Sequence, residues 1–182
     1  MIPSRSQSWR CKVELHVRDA VGADHAAVLV LNNGAVPHVN ALDAERFEEL
    51  VGYATYFRVA EDESGIAGFV LCVAPGTPYW SDNYAWFAAR YGNAPEAFVY
   101  LDRVVVAPRA RRSGVGRLLY ADLEQFVRGR WPRVTLEVNV RPPNPTSVEF
   151  HQQMGFREVG VREYDDGTGT ASYAVSMMER TL

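Results

Sequence analysis

The stretch VAPRARRSGVGRLL, residues 106–119, joins a run of valines to a segment with helical periodicity. It places four arginines around Gly114 and Gly116 in a chain that is acidic overall. The first backbone N–H groups of a helix lack intrahelical partners and lie at the positive end of its dipole, and glycines let a backbone approach an anion closely. The stretch therefore predicts a phosphate or pyrophosphate site between a strand and a helix.

Two common phosphate-binding motifs do not match this loop. A P-loop requires Lys followed by Ser or Thr after its second glycine, whereas Arg117 and Leu118 follow Gly116. A dinucleotide fingerprint requires a third glycine three residues after Gly116, where Leu119 stands. The sequence thus favours neither a nucleoside triphosphate nor a nicotinamide dinucleotide.

A third motif does match. Residues 111–116 resemble the pyrophosphate-binding motif of the GNAT superfamily of acyl-CoA N-acyltransferases, which is Gln or Arg, two residues, Gly, one residue, then Gly or Ala. The later segment NPTSVEFHQQMGF, residues 144–156, is similar to a second motif of that family, with Asn144, Ser147, Phe150, Gly155 and Phe156 in the expected places. With the order of elements over residues 11–180, the resemblance covers almost the whole chain.

The resemblance implies acetyl-CoA as the acyl donor and assigns residues to it. The strand before the loop would pair its backbone with the pantetheine arm, and Asn144 and His151 would lie along the CoA arm or at the thioester. The phosphate on the adenine side would contact Arg109, Arg112 or Arg117, a choice that stays open. The donor-binding residues are predicted to be Val104, Val105 and Val106 in the strand and Arg111, Arg112, Ser113, Gly114, Val115, Gly116 and Arg117 in the loop.

Acetylation of an amine needs a base for the amine and a proton for the departing thiolate. Glu137 and Asp102 are carboxylates within apolar strands, which is costly unless they are paired or functional, so each is a candidate base. Asp102 has the alternative of a pair with an arginine such as Arg103. The family often has a Tyr as the thiolate acid where this chain has His151, which is either the acid or a residue that packs and contacts CoA.

The acceptor side is less defined by sequence. Asn32 and Asn33 and the aromatic segment 79–91, with Trp80 and Tyr84, occupy the places where the family builds its acceptor pocket. The aromatic residues have the alternative role of a local core that covers a sheet edge. The acceptor is predicted to be an amine of a small molecule or of a peptide or protein. The histidines outside the motifs, His16, His25 and His38, have no cluster partners, so no metal site is expected.

The periodicity of the chain predicts an α/β (α+β) fold with a mixed, mostly antiparallel central sheet flanked by helices and at least one parallel crossover. Residues 1–10 are expected to be a flexible leader, and residues 11–182 a single domain. The start of the chain lacks the apolar core of a signal peptide, so a cytoplasmic location is expected. A homodimer is compatible with the sequence, which does not determine oligomeric state.

The predicted function is that of an acetyl-CoA-dependent N-acetyltransferase with direct transfer to the amine. No covalent intermediate is expected, because neither Cys11 nor Cys72 lies near a motif. A non-catalytic acyl-CoA-binding or sensor domain is the alternative, favoured by His151 in place of the tyrosine. A net charge of −3 and a pI of about 5.8 argue against a nucleic-acid-binding or membrane-surface protein.

Overall fold

The computed structural model describes residues 14–165 and 171–182, without the side chains of residues 171 and 172. The predicted leader and most of the predicted turn at 165–169 lie outside this part of the chain. The elements are β1 (His16–Asp19), α1 (His25–Asn33), α2 (Ala44–Tyr53), β2 (Ala54–Asp62), β3 (Gly65–Val73), α3 (Asp82–Tyr91), β4 (Val99–Val106), α4 (Val115–Val127), β5 (Arg133–Arg141), α5 (Pro145–Gln153), β6 (Arg157–Asp165) and β7 (Ala171–Thr181).

The strands form one sheet in the order β1-β2-β3-β4-β5-β7-β6. Every neighbouring pair is antiparallel except β4 and β5, which are parallel. The helix α4 supplies the crossover between those two strands, as a parallel pair requires. The predicted mixed, mostly antiparallel sheet flanked by helices is confirmed.

Alternating residues of the strands separate two apolar layers. On β3, Val70 and Cys72 pack with α4, whereas Phe69 and Leu71 face clusters that include α1, α2 and α3. Burial on both faces explains why β3 is an almost continuous apolar run rather than an alternating one. Among the described residues, no helix is both long enough and apolar enough to span a bilayer.

The sequence predicts helix caps at Asp24, Asp43, Ser81 or Asp82, and Asn144, and these are confirmed except at Asp24, whose side chain makes no capping hydrogen bond to α1. The side chain of Asp43 accepts a hydrogen bond from the backbone N–H of Arg46 at 2.8 Å at the start of α2. Ser81 caps α3 and Asn144 caps α5 in the same way, each at 3.3 Å. Polar side chains before the first helical turn satisfy N–H groups that the helix itself leaves unpaired, which fixes where these helices begin.

The strands β4 and β5 separate along their length. They pair at only two positions, Val99 with Val134 and Tyr100 with Thr135, although both strands continue beyond them. On its other side, β4 stays paired with β3 as far as Val106. The sheet therefore opens between β4 and β5, and within the described ranges the backbone of β4 beyond Tyr100 has no strand partner on the side facing the opening.

Candidate active site

A cavity of about 670 Å³ lies where β4 and β5 separate. Its floor comes from residues 101–104 of β4 and 136–139 of β5. Residues 38–42 before α2, residues 79–83 at the start of α3 and side chains of α5 and the β6–β7 pair form its sides. Both candidate bases and His151 line this cavity, so the structure brings together side chains that are far apart in the sequence.

Glu137 is a half-buried carboxylate on β5 that lines the cavity. Its Oε2 accepts a hydrogen bond from the hydroxyl of Tyr100 at 2.7 Å. The pKa of Glu137 is raised to about 7, chiefly by burial and also by the nearby charge of Asp102, while hydrogen bonds from Tyr100 and Asn83 and the charge of Arg103 act in the opposite direction. A carboxylate with a pKa near neutrality, open to a cavity, has the properties of a general base.

Asp102 lies on β4, and its side chain is almost completely buried. Arg103 Nε donates a hydrogen bond to Asp102 Oδ2 at 2.5 Å, and the hydroxyl of Tyr79 donates to Asp102 Oδ1. Both carboxylate oxygens are therefore bonded within the protein. This geometry matches the alternative role considered from the sequence, a buried pair with Arg103.

His151 is buried on α5, and both of its ring nitrogens are engaged. Nδ1 lies 2.7 Å from the backbone carbonyl of Ser147 and, because a carbonyl only accepts, we assign the proton to Nδ1. Nε2 then accepts from the hydroxyl of Tyr120 at 2.6 Å. Burial lowers the pKa of His151, so the ring is neutral at pH 7.

The glycine-rich loop leads directly into the first turn of α4. Arg112 and Gly114 have positive φ angles of 63° and 97°, and no side chain caps the helix. The N–H groups of residues 115–117 therefore lack intrahelical acceptors. Arg111, Arg112 and Arg117 are exposed beside them. This combination of free N–H groups and exposed guanidinium groups fits a pyrophosphate.

Arg109 is less available to a phosphate than its neighbours in the loop. Its guanidinium donates to Asp62 at 2.6 Å and to the carbonyl of Gly65 at 2.9 Å, which ties the loop to the β2–β3 turn. Of the three arginines considered for the adenine-side phosphate, Arg112 and Arg117 remain the better placed.

The sequence model of the acetyltransferase (GNAT) family matches residues 14–156, which is most of the chain. The protein belongs to the GNAT acetyltransferase family. It is accordingly an acyltransferase, and the sequence-based resemblance is confirmed. No significant match was found among curated protein sequences.

Solved structures share this GNAT fold at low sequence identity. The ribosomal-protein-S18-alanine N-acetyltransferase of Escherichia coli is 16% identical, with a TM-score of 0.69 over 93% of this chain and 94% of that one. Naa20 of Chaetomium thermophilum, solved with a bisubstrate analogue, is 22% identical, with a TM-score of 0.68 over 92% and 86%. Salmonella typhimurium yncA, solved with its cofactor acetyl-CoA, is 20% identical, with a TM-score of 0.66 over 93% and 94%.

The predicted acceptor residues of this GNAT protein take different positions. Trp80 lines the cavity, with the guanidinium of Arg46 4.0 Å from the centre of its ring. Tyr84 is buried in the core, and its hydroxyl donates to the carbonyl of Ala74 at 3.3 Å. The aromatic segment is thus partly core and partly cavity wall, and its role in binding the acceptor stays a prediction.

Asn32 and Asn33 stand behind the cavity rather than at its surface. Among the described residues, neither side chain lines it. Asn32 is fully buried and accepts a hydrogen bond from Arg103, while Asn33 bonds the backbone of Leu42, which does line the cavity. The geometry therefore gives the two asparagines a supporting place beside the predicted acceptor pocket.

Sequence reasoning missed polar residues that the β6–β7 pair brings to the cavity. The hydroxyl of Tyr164 donates to Asn83 Oδ1, and the hydroxyl of Tyr173 donates to Asn139 Oδ1. All four side chains line the cavity. No motif marks them, because their proximity arises only when the last two strands pair beside β5.

The described part of the chain, residues 14–165 and 171–182, contains no group of three or more His, Cys, Asp or Glu side chains that could hold a metal ion.

Proposed function

We propose that this acyltransferase is an acetyl-CoA-dependent N-acetyltransferase that transfers the acetyl group directly to a primary amine of a small molecule or peptide. The proposal rests on the position of Glu137, a carboxylate with a pKa of about 7 that lines the cavity between the separating strands β4 and β5. The cavity lies at one end of the edge of β4 that β5 leaves unpaired, and the glycine-rich loop follows the other end of that strand.

The proposed donor site uses backbone groups more than side chains. The N–H groups of residues 115–117 and the guanidinium groups of Arg112 and Arg117 would hold the pyrophosphate and the adenine-side phosphate. The backbone of residues 104–106 is unpaired on the side that faces β5, and there it would bond the pantetheine arm, much as a strand edge bonds a peptide. Asn144 lines the cavity, where the arm would end. When bound, acetyl-CoA supplies the acetyl group as a thioester.

In the proposed chemistry Glu137 accepts the proton of the attacking amine, either directly or through a water molecule. The amine nitrogen forms a bond to the acetyl carbon while the carbon–sulfur bond breaks; the thiolate takes up a proton from water, and Glu137 returns the proton it accepted to water. A backbone N–H of β4 is suited to stabilise the oxygen on which negative charge develops. We assign Asp102 to the pair with Arg103.

We assign His151 to packing and contact with CoA rather than to proton donation. The proton on Nδ1 is directed at the carbonyl of Ser147, and Nε2 carries no proton while it accepts from Tyr120. The lowered pKa of His151 also disfavours the protonated ring at neutral pH. The cytoplasmic location and the homodimer stay predictions from the sequence.

The test is amine-dependent release of CoA from acetyl-CoA, measured with a panel of small primary amines and of peptides with free N-termini. We expect turnover with at least one amine, and a fall of about 10² to 10⁴-fold in kcat for Glu137→Gln, the usual contribution of a general base. The matched control is Glu158→Gln, because Glu158 also accepts a hydroxyl hydrogen bond, from Ser176 at 2.6 Å, but lies outside the cavity lining.

Two results would contradict the proposal. If acetyl-CoA binds but no amine in the panel is acetylated, the protein is not the proposed transferase. If Glu137→Gln is as active as Glu158→Gln, the base is a different group.

A further inference from the structure

One side of the cavity is formed by residues 38–42, here called the acceptor wall. This segment joins α1 to α2 and contains neither helix nor strand. Backbone N–H and C=O groups of an irregular segment need partners from side chains or water. The position of the wall therefore depends on the side chains that bond its backbone.

The end of α1 supplies two of these side chains. Asn33 Nδ2 donates to the carbonyl of Leu42 at 2.8 Å, and Asn33 Oδ1 accepts from the N–H of the same residue at 3.0 Å. Asn32 Nδ2 donates to the carbonyl of Asn40 at 3.1 Å. The asparagines thus hold the wall at two of its residues.

The strand β4 supplies a third side chain that bonds the backbone of the wall. Arg103 is buried, and one terminal nitrogen of its guanidinium donates to Asn32 Oδ1 at 2.8 Å and approaches the carbonyl of Asn40 at 3.4 Å. Its Nε donates to Asp102, on the cavity floor. A continuous chain of hydrogen bonds therefore joins the floor of the cavity to the wall.

At the other end of the wall, a side chain of β5 bonds Pro37, which precedes the wall, and the cap residue of α5 bonds His38. Asn139 Nδ2 donates to the carbonyl of Pro37 at 3.3 Å, and Asn144 Nδ2 lies 3.3 Å from His38 Nδ1. Both of these asparagines line the cavity themselves, whereas Asn32 and Asn33 do not. A change at Asn33 can thus alter the wall without removing a side chain from the cavity surface.

We propose that Asn32, Asn33 and Arg103 are positioning residues that fix the acceptor wall and thereby set the affinity for the acceptor amine and the selection among amines. The inference rests on the proposed function, in which the amine binds on this side of Glu137. Asn32 and Asn33 act through the wall, because they bond its backbone without lining the cavity. Arg103, which lies on the cavity floor, bonds both Asn32 and the carbonyl of Asn40.

The test compares Asn33→Ala with the wild-type full chain, using acetyl-CoA and the best amine of the panel. The substitution removes the two bonds to Leu42 and the bond that Asn33 Oδ1 accepts from Asn32 at 2.9 Å. We expect the KM for the amine to rise about tenfold, which corresponds to about 1.4 kcal/mol, while the KM for acetyl-CoA stays within about twofold. We also expect faster hydrogen exchange at the amide of Leu42, which loses its acceptor. The control is Asn93→Ala, which removes a bond from the Gly76 N–H at 3.0 Å outside the cavity lining.

Equal rises in both KM values, or changes no larger than those of Asn93→Ala, would overturn the inference. If the wild type acetylates no amine, the proposed function fails, and hydrogen exchange at the Leu42 amide then tests the wall by itself. Faster exchange in Asn33→Ala supports the positioning role, and unchanged exchange overturns it. If Asn33→Ala does not fold, Asn33→Asp replaces it. That variant keeps the acceptor for the Leu42 N–H but loses the donor to the carbonyl, so it is expected to raise the KM for the amine without speeding exchange at that amide.

Discussion

Two carboxylates of the same cavity differ because of the groups around them. Asp102 has a guanidinium and a hydroxyl on its two oxygens, whereas Glu137 has hydroxyl and amide donors and no cation bonded to it. An adjacent cation stabilises a carboxylate, and burial without one favours the protonated form. Glu137, whose pKa is raised to about 7, is thus suited to exchange protons, and Asp102, bonded at both oxygens, is suited to hold structure.

We predict that Asp102→Asn destabilises the protein. Asp102 and Arg103 are both buried, and removing one charge of a buried pair leaves the other uncompensated, at a cost of about 3 kcal/mol in the free energy of unfolding. Urea denaturation measures this change. The control is Asp19→Asn, which breaks an ion pair of 3.1 Å to Arg58 in which Asp19 is largely exposed, and should cost less than about 1 kcal/mol.

A different outcome would assign Asp102 a catalytic role. If Asp102→Asn unfolds at the wild-type urea concentration but loses acetyl transfer, its carboxylate acts on the substrate and its pair with Arg103 is not its main role.

At the level of elements, the loop before α4 depends on a backbone conformation that only glycine adopts easily. Gly114 has a φ of 97°, and a Cβ placed there would meet nothing within 4 Å. A larger residue would therefore be opposed by backbone strain and not by a clash. The N–H groups that follow Gly114 are those proposed to bind the pyrophosphate.

We expect Gly114→Ala to weaken acetyl-CoA binding about tenfold and to lower the free energy of unfolding by about 1 to 2 kcal/mol, the cost of a left-handed alanine. Calorimetric titration with acetyl-CoA and urea denaturation give the two values. The control is Gly52→Ala in α2, where the space is equally open but φ is not positive, so helix propensity should raise stability by up to about 1 kcal/mol and leave affinity unchanged. Equal affinity for acetyl-CoA in both variants would show that the loop does not hold the donor.

The elements themselves were largely predictable from the sequence. Local signals sufficed, such as Asp43 and Asn144 before helical periodicity and the valine run of β4, because caps and apolar periods act within a few residues. Contacts between distant segments were not predictable. The hydrogen bond from Tyr120 to His151 and the bond from Tyr79 to Asp102 each join elements whose approach depends on how the whole sheet is assembled.

At the scale of the whole molecule, the separation of β4 from β5 organises the site. It frees the edge of β4 and opens the cavity that contains Glu137. The sequence predicted the glycine-rich loop before α4 as the donor site because its glycines and arginines are contiguous. It did not predict the bonds of Asn32 and Asn33 to the acceptor wall, because they depend on the path of an irregular segment that has no periodic pattern.

If Glu137 is the base, acetyl transfer should depend on the protonation of its carboxylate, and the pH dependence of the reaction measures this. Because the pKa of Glu137 in the ligand-free protein is raised, chiefly by burial, to about 7, its basic form is lost as the pH falls through 7, so kcat/KM should decline below that pH. The measurement is kcat/KM against pH, from about 5.5 to 9, for the wild type and for Glu137→Gln with the same amine. We predict an inflection near pH 7 in the wild type that is absent from the residual activity of Glu137→Gln. The same inflection in both proteins would contradict the account.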